Sequence, residues 1–388
     1  MNEDKLEVIY ESIHPGTPKT DIVFYQTIDK TLQALFADKI FSGIDGKPVI
    51  VPAKNERRVF VTDSNVAEIL EVKSFLKNID TSKHSIIILP AGEENKTIEN
   101  VLKIAETALK EGHMRNSIFT GIGGGVICDM TAFAASIFKR GAKLEFVPTT
   151  LLAMVDAAIG GKTGCDFSTW KNMLGSFFPA QKLYDCPAFT KTLPETEYRS
   201  GLGEVVKTGL LYAPKLFQIM SDEQELVLSR DSETVYEIVK RCTLAKTSIV
   251  ERDLMEKGPR MELNLGHTFG HAYESLAGLG TVPHGDAVAW GLGRAAELSL
   301  QLGYCDEDYR NDVFKCLKNY GWSTNKTPPK LENKTNSSSA HEIAQALIEI
   351  MHKDKKNSGK KIRCILQREL NMTVIEEIDD SLILKVLC

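Results

Sequence analysis

Short runs of β-branched and other apolar residues alternate with helical patterns between about residues 57 and 150. The apolar runs predict buried strands at residues 58–62, 85–89, 117–121 and 143–147. Between the second and third runs, apolar residues recur at the i, i+3, i+4, i+7 spacing of an amphipathic helix, namely Ile98, Val101, Leu102, Ala105, Ala108 and Leu109. This β-α-β-α succession predicts an α/β domain built on a parallel sheet.

The strand pattern fades after about residue 190, and helical periodicity dominates the rest of the chain. We predict helices at residues 236–251, 285–303, 308–320 and 341–352. The chain is therefore divided into an α/β domain over residues 1–190 and a mainly α-helical domain over residues 191–388. Two segments interrupt this scheme: residues 33–56 are predicted to be an inserted loop or hairpin, and residues 323–340 a polar, mobile surface loop.

Composition and charge narrow the class of protein. The 388 residues are 43% hydrophobic and 26% charged, as is usual for folded globular proteins. The formal net charge of −5 gives no reason to expect binding to nucleic acid or to an acidic membrane. No apolar run approaches the roughly 20 residues of a membrane span. The eight cysteines form no Cys-x-x-Cys pair, and the first residues lack the features of a secretory signal, so we expect reduced thiols and a cytoplasmic location.

A glycine-rich segment, Gly121-Ile-Gly-Gly-Gly-Val-Ile-Cys-Asp129, follows the third predicted strand and opens a predicted helix. Backbone N–H groups converge on a phosphate at such a junction, which indicates a nucleotide. Counted from Gly123, the spacing is that of the Gly-x-Gly-x-x-Gly fingerprint, except that Cys128 occupies the last position. The alternative is a glycine turn that serves only close packing.

Three polar residues come shortly before this segment, after the two preceding strands. Asp63 and Glu93 are candidate acceptors for ribose hydroxyls, and Lys96 is a candidate partner of the pyrophosphate. A separate cluster follows the fourth strand and contains Asp156, Gly160-Gly-Lys162-Thr and Lys171-Asn172. A P-loop would need glycine at position 156, so this cluster favours recognition of anions and hydroxyls rather than an NTPase.

Three of the eight histidines fall between residues 267 and 284. On one continuous helix, Arg260, Asn264, His267 and His271 would be spaced 4, 3 and 4 apart and would share a face. Such a polar stripe indicates a site, although core or simply exposed histidines are the ordinary alternative. The motif Pro283-His284-Gly-Asp286 adds the third histidine.

Glu204-Val-Val-Lys207 places a carboxylate and an ammonium three residues apart on another predicted helix. A surface ion pair is the simplest interpretation of this spacing. Together with His267 and His284, however, Glu204 completes a set of two histidines and one carboxylate. This is the ligand count of a catalytic zinc that keeps an open position.

Long motifs then follow one another along the chain: GGGVICD at 123–129, PTTLLAMVDAAIGGKTG at 148–164, KNMLGSF at 171–177, TLPETE at 192–197, GLGEVVK at 201–207, LNLGHTFGHA at 263–272, HGDAVAWG at 284–291 and DKK at 354–356. From about residue 58 to the C-terminus, the chain resembles the 3-dehydroquinate synthase family of sugar-phosphate cyclases. The resemblance implies an NAD-binding α/β domain over residues 1–190 and a helical domain over residues 191–388 that binds metal and substrate.

The same resemblance implies individual roles. Glu204, His267 and His284 would bind Zn²⁺, with Co²⁺ as an alternative metal. The residues approaching NAD would be Asp63, Glu93, Lys96, Gly124, Gly125, Asp129, Thr149, Thr150, Lys162, Lys171, Thr192 and Glu197. The residues around the substrate would be Asp156, Lys162, Asn172, Lys207, Lys246, Arg260, Asn264, His271 and Lys355.

One further residue bears on assembly. Arg140 matches an arginine of the family that reaches the neighbouring subunit's site, which implies a homodimer. The chain departs from the family pattern at Cys128, Trp170 and Gly203, where glycine, glycine and alanine are usual, and these changes bear on cofactor affinity. The register around position 355 leaves open whether Lys355 or Lys356 is the site lysine.

The implied reaction converts 3-deoxy-D-arabino-heptulosonate 7-phosphate, a small anionic sugar phosphate, into 3-dehydroquinate and phosphate. It is a carbon–oxygen lyase reaction of the shikimate pathway, which leads to the aromatic amino acids. NAD takes up a hydride and returns it, so that no net oxidation results.

Three other functions are alternatives. A sibling cyclase, of the deoxy-inosose or valiolone synthase type, acts on a sugar phosphate without a carboxylate, and Arg260, Asn264 and Lys355 argue against it. A metal-dependent polyol dehydrogenase of the glycerol dehydrogenase type has a similar two-domain layout but needs fewer anion-binding residues. A catalytically inactive nucleotide-binding or scaffold protein has no need of a complete set of metal ligands.

Overall fold

The computed structural model describes residues 7–12, 20–37, 39–42, 48–51, 56–168, 170–278, 280–332, 339–353 and 361–388. The chain forms two compact units, Met1–Leu193 and Pro194–Cys388. Within the described residues, no helix is long and apolar enough to cross a membrane.

The first unit contains strands and helices in alternation. Its strands are β1 (Glu7–Ser12), β2 (Thr20–Phe24), β3 (Lys39–Ser42), β4 (Pro48–Val51), β5 (Arg58–Asp63), β6 (Ser85–Leu89), β7 (Ile118–Gly123), β8 (Lys143–Pro148), β9 (Cys165–Phe167), β10 (Trp170–Leu174) and β11 (Lys182–Asp185). Its helices are α1 (Ile28–Ala34), α2 (Leu70–Lys77), α3 (Ile98–Lys110) and α4 (Gly125–Ile137).

A seven-stranded sheet in the order β1-β2-β11-β8-β7-β5-β6 organises this unit. The pair β1–β2 is antiparallel, and the other neighbours are parallel. The predicted α/β fold and the four predicted strands are therefore confirmed. The central strands read as continuous apolar runs because helices cover the sheet, and Val59, Phe60 and Val61 are fully buried.

Two details of the first unit differ from the sequence pattern. Leu102 and Leu109, counted in the apolar stripe of α3, are 53% and 54% exposed, while the buried residues of α3 are Val101, Ile104 and Ala108. The buried face of α3, which packs against α4, β6 and β9, is therefore narrower than the apolar pattern. In the inserted segment 33–56, β3 and β4 form an antiparallel pair, which is the hairpin alternative.

Helices dominate the second unit, as predicted. They are α5 (Glu195–Tyr212), α6 (Pro214–Asp222), α7 (Gln224–Leu228), α8 (Ser232–Arg252), α9 (His267–Ala277), α10 (His284–Gln301), α11 (Glu307–Asn319), α12 (Pro329–Glu332), α13 (Ala340–His352) and α14 (Asp380–Leu387). The pattern missed one antiparallel hairpin, β12 (Ile362–Glu369) and β13 (Met372–Ile378). Asn371 lies in the turn of this hairpin with a left-handed φ of 64°. Asparagine favours turns, so this residue is the feature of the sequence that indicates the hairpin.

The polar segment 323–340 is not a surface loop throughout. Helix α12 lies within it, and Leu331 is only 3% exposed. Residues 333–338 fall outside the described part of the chain, so the mobility predicted for that stretch stays a prediction.

A buried histidine lies at the amino ends of the central strands, away from the ends that carry the predicted nucleotide-binding residues. Nε2 of His113 lies 2.6 Å from Oγ of Ser85, and its Nδ1 lies 3.2 Å from Oγ of Ser117. Burial, followed by the charge of Arg57, lowers the pKa of His113 to about 4, although Glu111 opposes the shift. The imidazole is therefore neutral in the folded protein at neutral pH.

We expect His113 to weaken the fold in mild acid. The unfolded chain takes up a proton near the ordinary histidine pKa of about 6.5, whereas the folded chain takes it up only near 4. Stability therefore falls as the pH drops from 6.5 towards 4. Replacing His113→Gln keeps a hydrogen-bonding group and should reduce the proton uptake on unfolding by about one proton in that range. Thermal unfolding of the wild type and of His113→Gln between pH 5 and 7.5 measures how stability depends on pH. The same pH dependence in both proteins would contradict the role given to His113.

Candidate functional site

Predicted cofactor residues lie where neighbouring strands of the first unit end. Asp63 ends β5, the segment containing Glu93 follows β6, the glycine segment follows β7, and Thr149 follows β8. These four strands are adjacent and parallel, so their carboxyl ends share one edge of the sheet. The chain runs outward from β5 to β6 and resumes on the other side with β7, which makes the gap between β5 and β7 a topological switch point. Open α/β sheets bind ligands at such a point.

The glycine segment has a packing role as well as a binding geometry. A Cβ at Gly123 would lie 2.6 Å from Cβ of Ile127, and one at Gly124 would lie 2.9 Å from Cγ2 of Thr150. The packing alternative thus accounts for both glycines. Gly124 nevertheless caps α4 with extended backbone and without a side-chain hydrogen bond, and Gly125 is the first helical residue. The first turn of α4 therefore suits a phosphate.

Lys96 brings together residues that the sequence had assigned to different ligands. Its Nζ lies 2.7 Å from Oδ2 of Asp129 and donates to Oδ1 of Asn172 at 2.6 Å. Burial opposes the Lys96 charge, but Asp129 and then Glu93 outweigh it and hold the lysine pKa above its ordinary value. Asn172 has a left-handed φ of 51°, and its N–H donates to Asp166 at 2.7 Å. Lys96 thus connects the first turns of α4 with β10, the strand that also carries Lys171.

Several other predicted residues of the first unit make local contacts. Oδ1 of Asp63 accepts the N–H groups of Asn65 and Val66, and Oγ1 of Thr150 accepts that of Ala153. Thr149 is 1% exposed, and its hydroxyl has no hydrogen-bond partner among the described atoms. Asp156 lies in a π-helical turn, and Lys162 forms an isolated backbone β-bridge with Phe177. Arg140 is exposed and has left-handed backbone. Thr192 is also exposed, and its hydroxyl donates to the Phe189 carbonyl.

In the second unit, the three predicted metal ligands converge. Oε1 of Glu204 lies 3.5 Å from Nε2 of His267 and 3.4 Å from Nε2 of His284. Tetrahedral zinc with bonds of about 2.0–2.1 Å separates neighbouring ligand atoms by about 3.3 Å. The observed spacing therefore fits a zinc-sized ion held by these three residues.

Close helix packing creates this convergence. Glu204 lies on α5 and His284 begins α10, and the two helices cross at Gly203 and Gly285. A Cβ at Gly203 would lie 2.2 Å from the carbonyl oxygen of Gly285. The N–H of Gly285 also donates to Oγ of Ser200 on α5 at 3.0 Å. Glu204 follows Gly203 in the sequence, and His284 precedes Gly285. The backbone contact between the two glycines therefore places the carboxylate and the imidazole side by side.

Charge and hydrogen bonding prepare these side chains for a cation. Glu204 is fully buried, and Nζ of Lys207 contacts its Oε2, so the predicted surface ion pair is in fact an interior one. Burial opposes ionisation of Glu204, but Lys207 and His284 lower its pKa to about 2. Nδ1 of His267 lies 3.1 Å from the Leu265 carbonyl, which can only accept. That nitrogen therefore carries a hydrogen, and Nε2, which faces Glu204, is the nitrogen that would bind a metal ion.

The single polar helix predicted through residue 260 and residue 271 does not exist. A 3₁₀-helix, Pro259–Asn264, ends before Leu265, and α9 begins at His267. Gly266 between them has a φ of +76°, which breaks the helical register. His267 and His271 still share one face of α9, with ring centroids 5.1 Å apart. Asn264 instead donates to Oε1 of Glu256 at 2.8 Å.

Other predicted residues of the second unit occupy distinct positions. Lys246 on α8 is 6% exposed and Arg260 is 1% exposed, whereas Glu197 on α5 is exposed. Lys355 and Lys356 lie outside the described residues.

Two carboxylates near the predicted site residues, Glu256 and Glu274, were not predicted from the sequence. Glu256 has a left-handed φ of 56° and holds Asn264, and Glu274 on α9 lies 3.3 Å from Nδ1 of His284 through its Oε2. The spacing of Glu274 one helical turn after His271 was the available signal.

Comparison with known sequences decides the family. A model of the 3-dehydroquinate synthase N-terminal domain matches residues 86–200, and one of its C-terminal domain matches residues 201–357. The 3-dehydroquinate synthase of Acidithiobacillus ferrooxidans is 40% identical over 344 residues, which cover 88% of this chain and 87% of the relative. The chain belongs to the 3-dehydroquinate synthase family. Another relative of that name, from Dictyoglomus thermophilum, is 36% identical over 81% of this chain and 84% of its own length.

Solved structures show how widely the fold of this 3-dehydroquinate synthase family member is shared. A 2-deoxy-scyllo-inosose synthase complexed with carbaglucose-6-phosphate, NAD⁺ and Co²⁺ has a TM-score of 0.78 at 21% identity, covering 97% of this chain and 98% of its own. A probable glycerol dehydrogenase from Sinorhizobium meliloti has a TM-score of 0.60 at 14% identity, covering 96% of each chain. Because a cyclase and a dehydrogenase both share the fold, the fold alone does not select the reaction.

Proposed function

We propose that this chain converts 3-deoxy-D-arabino-heptulosonate 7-phosphate into 3-dehydroquinate and inorganic phosphate, as a carbon–oxygen lyase that uses NAD in catalytic amount. The observation that carries the proposal is the convergence of Glu204, His267 and His284 in a chain of the 3-dehydroquinate synthase family. Family membership favours this reaction over the sibling cyclases and polyol dehydrogenases that share the fold.

The residues present suit both cofactors of the proposed reaction. Glu204, His267 and His284 would hold Zn²⁺ or Co²⁺, and the carboxyl edge of the first unit's sheet, with Asp63 and the first turn of α4, would hold NAD. The chemistry supplied by bound NAD is acceptance and return of a hydride, and that of a bound metal ion is polarisation of a substrate hydroxyl. NAD⁺ with Co²⁺ in the 2-deoxy-scyllo-inosose synthase and NAD⁺ with Zn²⁺ in a valiolone synthase from Streptomyces hygroscopicus support this pairing.

Buried cations in the second unit favour an anionic substrate. Lys207 on α5, Lys246 on α8 and Arg260 on the 3₁₀-helix are all less than 10% exposed, and the three elements pack against one another. Concentrating positive charge in a protein interior is costly unless anions balance it. Glu204 balances Lys207, and a substrate with a carboxylate and a phosphate would add negative charge beside the same cluster, where Arg260 can bind either group with two hydrogen bonds.

His271 is the group best placed to move a proton. It follows His267 by one turn of α9, and its ring centroid lies 6.0 Å from that of His284. A ring nitrogen of His271 would take or return the proton of the substrate carbon or hydroxyl. Lys207, held against Glu204, would keep its charge and orient the substrate.

We also propose that the protein is a cytoplasmic homodimer in which Arg140 serves the partner's site. Lys139 and Arg140 both have left-handed backbone, with φ of 47° and 63°, and both are exposed. Two such residues in succession store strain, which concentrates at functional sites. The eight free cysteines favour a reducing compartment.

Product identification tests the proposed activity. The purified protein, supplied with Zn²⁺, NAD and the heptulosonate phosphate, should release one phosphate for each 3-dehydroquinate formed, without accumulating NADH. Glucose 6-phosphate and sedoheptulose 7-phosphate, which lack the carboxylate, are the control substrates and should remain unchanged. NADH formed in step with product would indicate a dehydrogenase, and turnover of the control substrates alone would indicate a sibling cyclase.

A further inference from the structure

The metal ligand His284 has a carboxylate on each side of its ring. Its Nε2 faces Oε1 of Glu204 at 3.4 Å, and its Nδ1 faces Oε2 of Glu274 at 3.3 Å. Glu274 lies on α9 and is only 5% exposed, so little water competes for this contact. No step of the proposed reaction uses Glu274.

We propose that Glu274 is a positioning residue for the metal site, which fixes the orientation and tautomer of His284. An ionised carboxylate only accepts hydrogen bonds, so Glu274 holds a hydrogen on Nδ1 of His284, and Nε2, which faces Glu204, is the nitrogen left to bind a metal ion there. The negative charge of Glu274 also makes Nε2 a stronger donor to a cation. This inference rests on the metal site of the proposed function.

The two histidine ligands are oriented by different partners. His267 donates from Nδ1 to the carbonyl of Leu265, a neutral group on its own chain segment. His284 instead donates to a full charge brought from another helix. Removal of Glu274 should therefore weaken metal binding without loosening His267, and α9 and α10 should remain packed through the contact between Gly270 and Ala287.

A competing arrangement uses Glu274 as a ligand itself. His271, Glu274 and His284 also offer three donor atoms within 4.8 Å of one another. In that arrangement His284 would bind through Nδ1, the nitrogen facing Glu274, and Glu204 would not be a ligand. The two arrangements predict different effects of an amide at position 274, because a glutamine oxygen can still accept from Nδ1 but is a poor metal ligand.

The experiment measures metal affinity rather than turnover. Zn²⁺ dissociation constants are obtained by competition with a chromophoric chelator, and the Co²⁺-loaded protein is examined by visible absorption. Glu274→Ala should weaken Zn²⁺ binding by about 10- to 100-fold. Glu274→Gln should lose less than Glu274→Ala, and both should shift the Co²⁺ bands. Glu297→Gln and Glu297→Ala on α10, where Glu297 pairs with Arg310, are matched controls and should bind as the wild type does.

Each other outcome overturns the inference. Wild-type affinity and an unchanged Co²⁺ spectrum in Glu274→Ala would leave Glu274 a structural role only. Complete loss of metal in both Glu274 variants, with Glu204→Gln still loaded, would make Glu274 a ligand. If the wild-type protein bound neither Zn²⁺ nor Co²⁺, both the proposed metal site and the role of Glu274 would be refuted. If the wild-type protein bound metal and the Glu274 variants bound it equally well, only the role of Glu274 would be refuted. Circular dichroism of every variant identifies a protein that has not folded, and for that case Glu274→Gln preserves the shape of the side chain.

Discussion

Replacing Glu204→Gln should empty the metal site and lower turnover by about a thousandfold or more, because loss of a metal that polarises the substrate removes several kcal/mol of transition-state stabilisation. His267→Ala and His284→Ala should have the same effect, since three protein ligands are the set that leaves one position open for substrate. Glutamine is preferable to alanine at position 204, because it keeps a hydrogen-bonding group beside the buried Lys207. Metal content by mass spectrometry and phosphate release measure the two effects.

The matched control is His352→Ala. His352 is the last residue of α13, is distant in sequence from the three proposed ligands, and pairs with Asp380. That variant should keep its metal and its turnover. A thermal unfolding curve for each variant separates metal loss from misfolding. If one of the three variants kept metal at wild-type occupancy, the altered residue would not be a ligand.

Mixing two inactive variants should restore activity if Arg140 serves the partner's site. Arg140→Ala and His271→Ala should each be nearly inactive, because the first removes positive charge from the phosphate and the second removes a proton-transfer group. In a mixed dimer, one site would contain both lesions and the other neither. Random reassembly of equal amounts should therefore recover about a quarter of wild-type activity.

The competing role for Arg140 is local. Its carbonyl accepts a long hydrogen bond from Arg115, and Arg115 also donates to the carbonyl of Gly141, so position 140 contributes to a surface turn. Native mass spectrometry must show that mixed dimers form. Mixed dimers without recovered activity would confine Arg140 to its own chain.

Sequence patterns predicted the parts of this protein that repeat with a simple period. The buried strands of the first sheet are continuous apolar runs, and the long helices of the second unit repeat apolar residues at the helical spacing. The metal ligands could also be proposed, because two histidines and one carboxylate make the ligand count of a catalytic zinc and because their motifs resemble those of the family. Their convergence could not, because it depends on the crossing of α5 and α10, which no local pattern records.

The errors have local physical causes. Gly266 interrupts what the i, i+4 spacing presents as one helix, because a single left-handed residue changes the direction of the chain. Leu102 and Leu109 belong to the apolar pattern of α3 but lie outside the face that α3 buries against its neighbours. The assignment of Lys96 to a pyrophosphate stays a prediction, and its contacts with Asp129 and Asn172 could not be predicted because they join residues that are distant in sequence.

The glycine crossing of α5 and α10 has a consequence for protein engineering. Replacing a helical glycine by alanine is a common way to stabilise a protein. At position 203, however, the new methyl group would meet the carbonyl oxygen of Gly285, so alanine fits only after α10 has moved. The blocking atom belongs to the backbone, so no change of side chain at position 285 makes room for it, and a library of stabilising substitutions would lose its members that carry alanine at position 203.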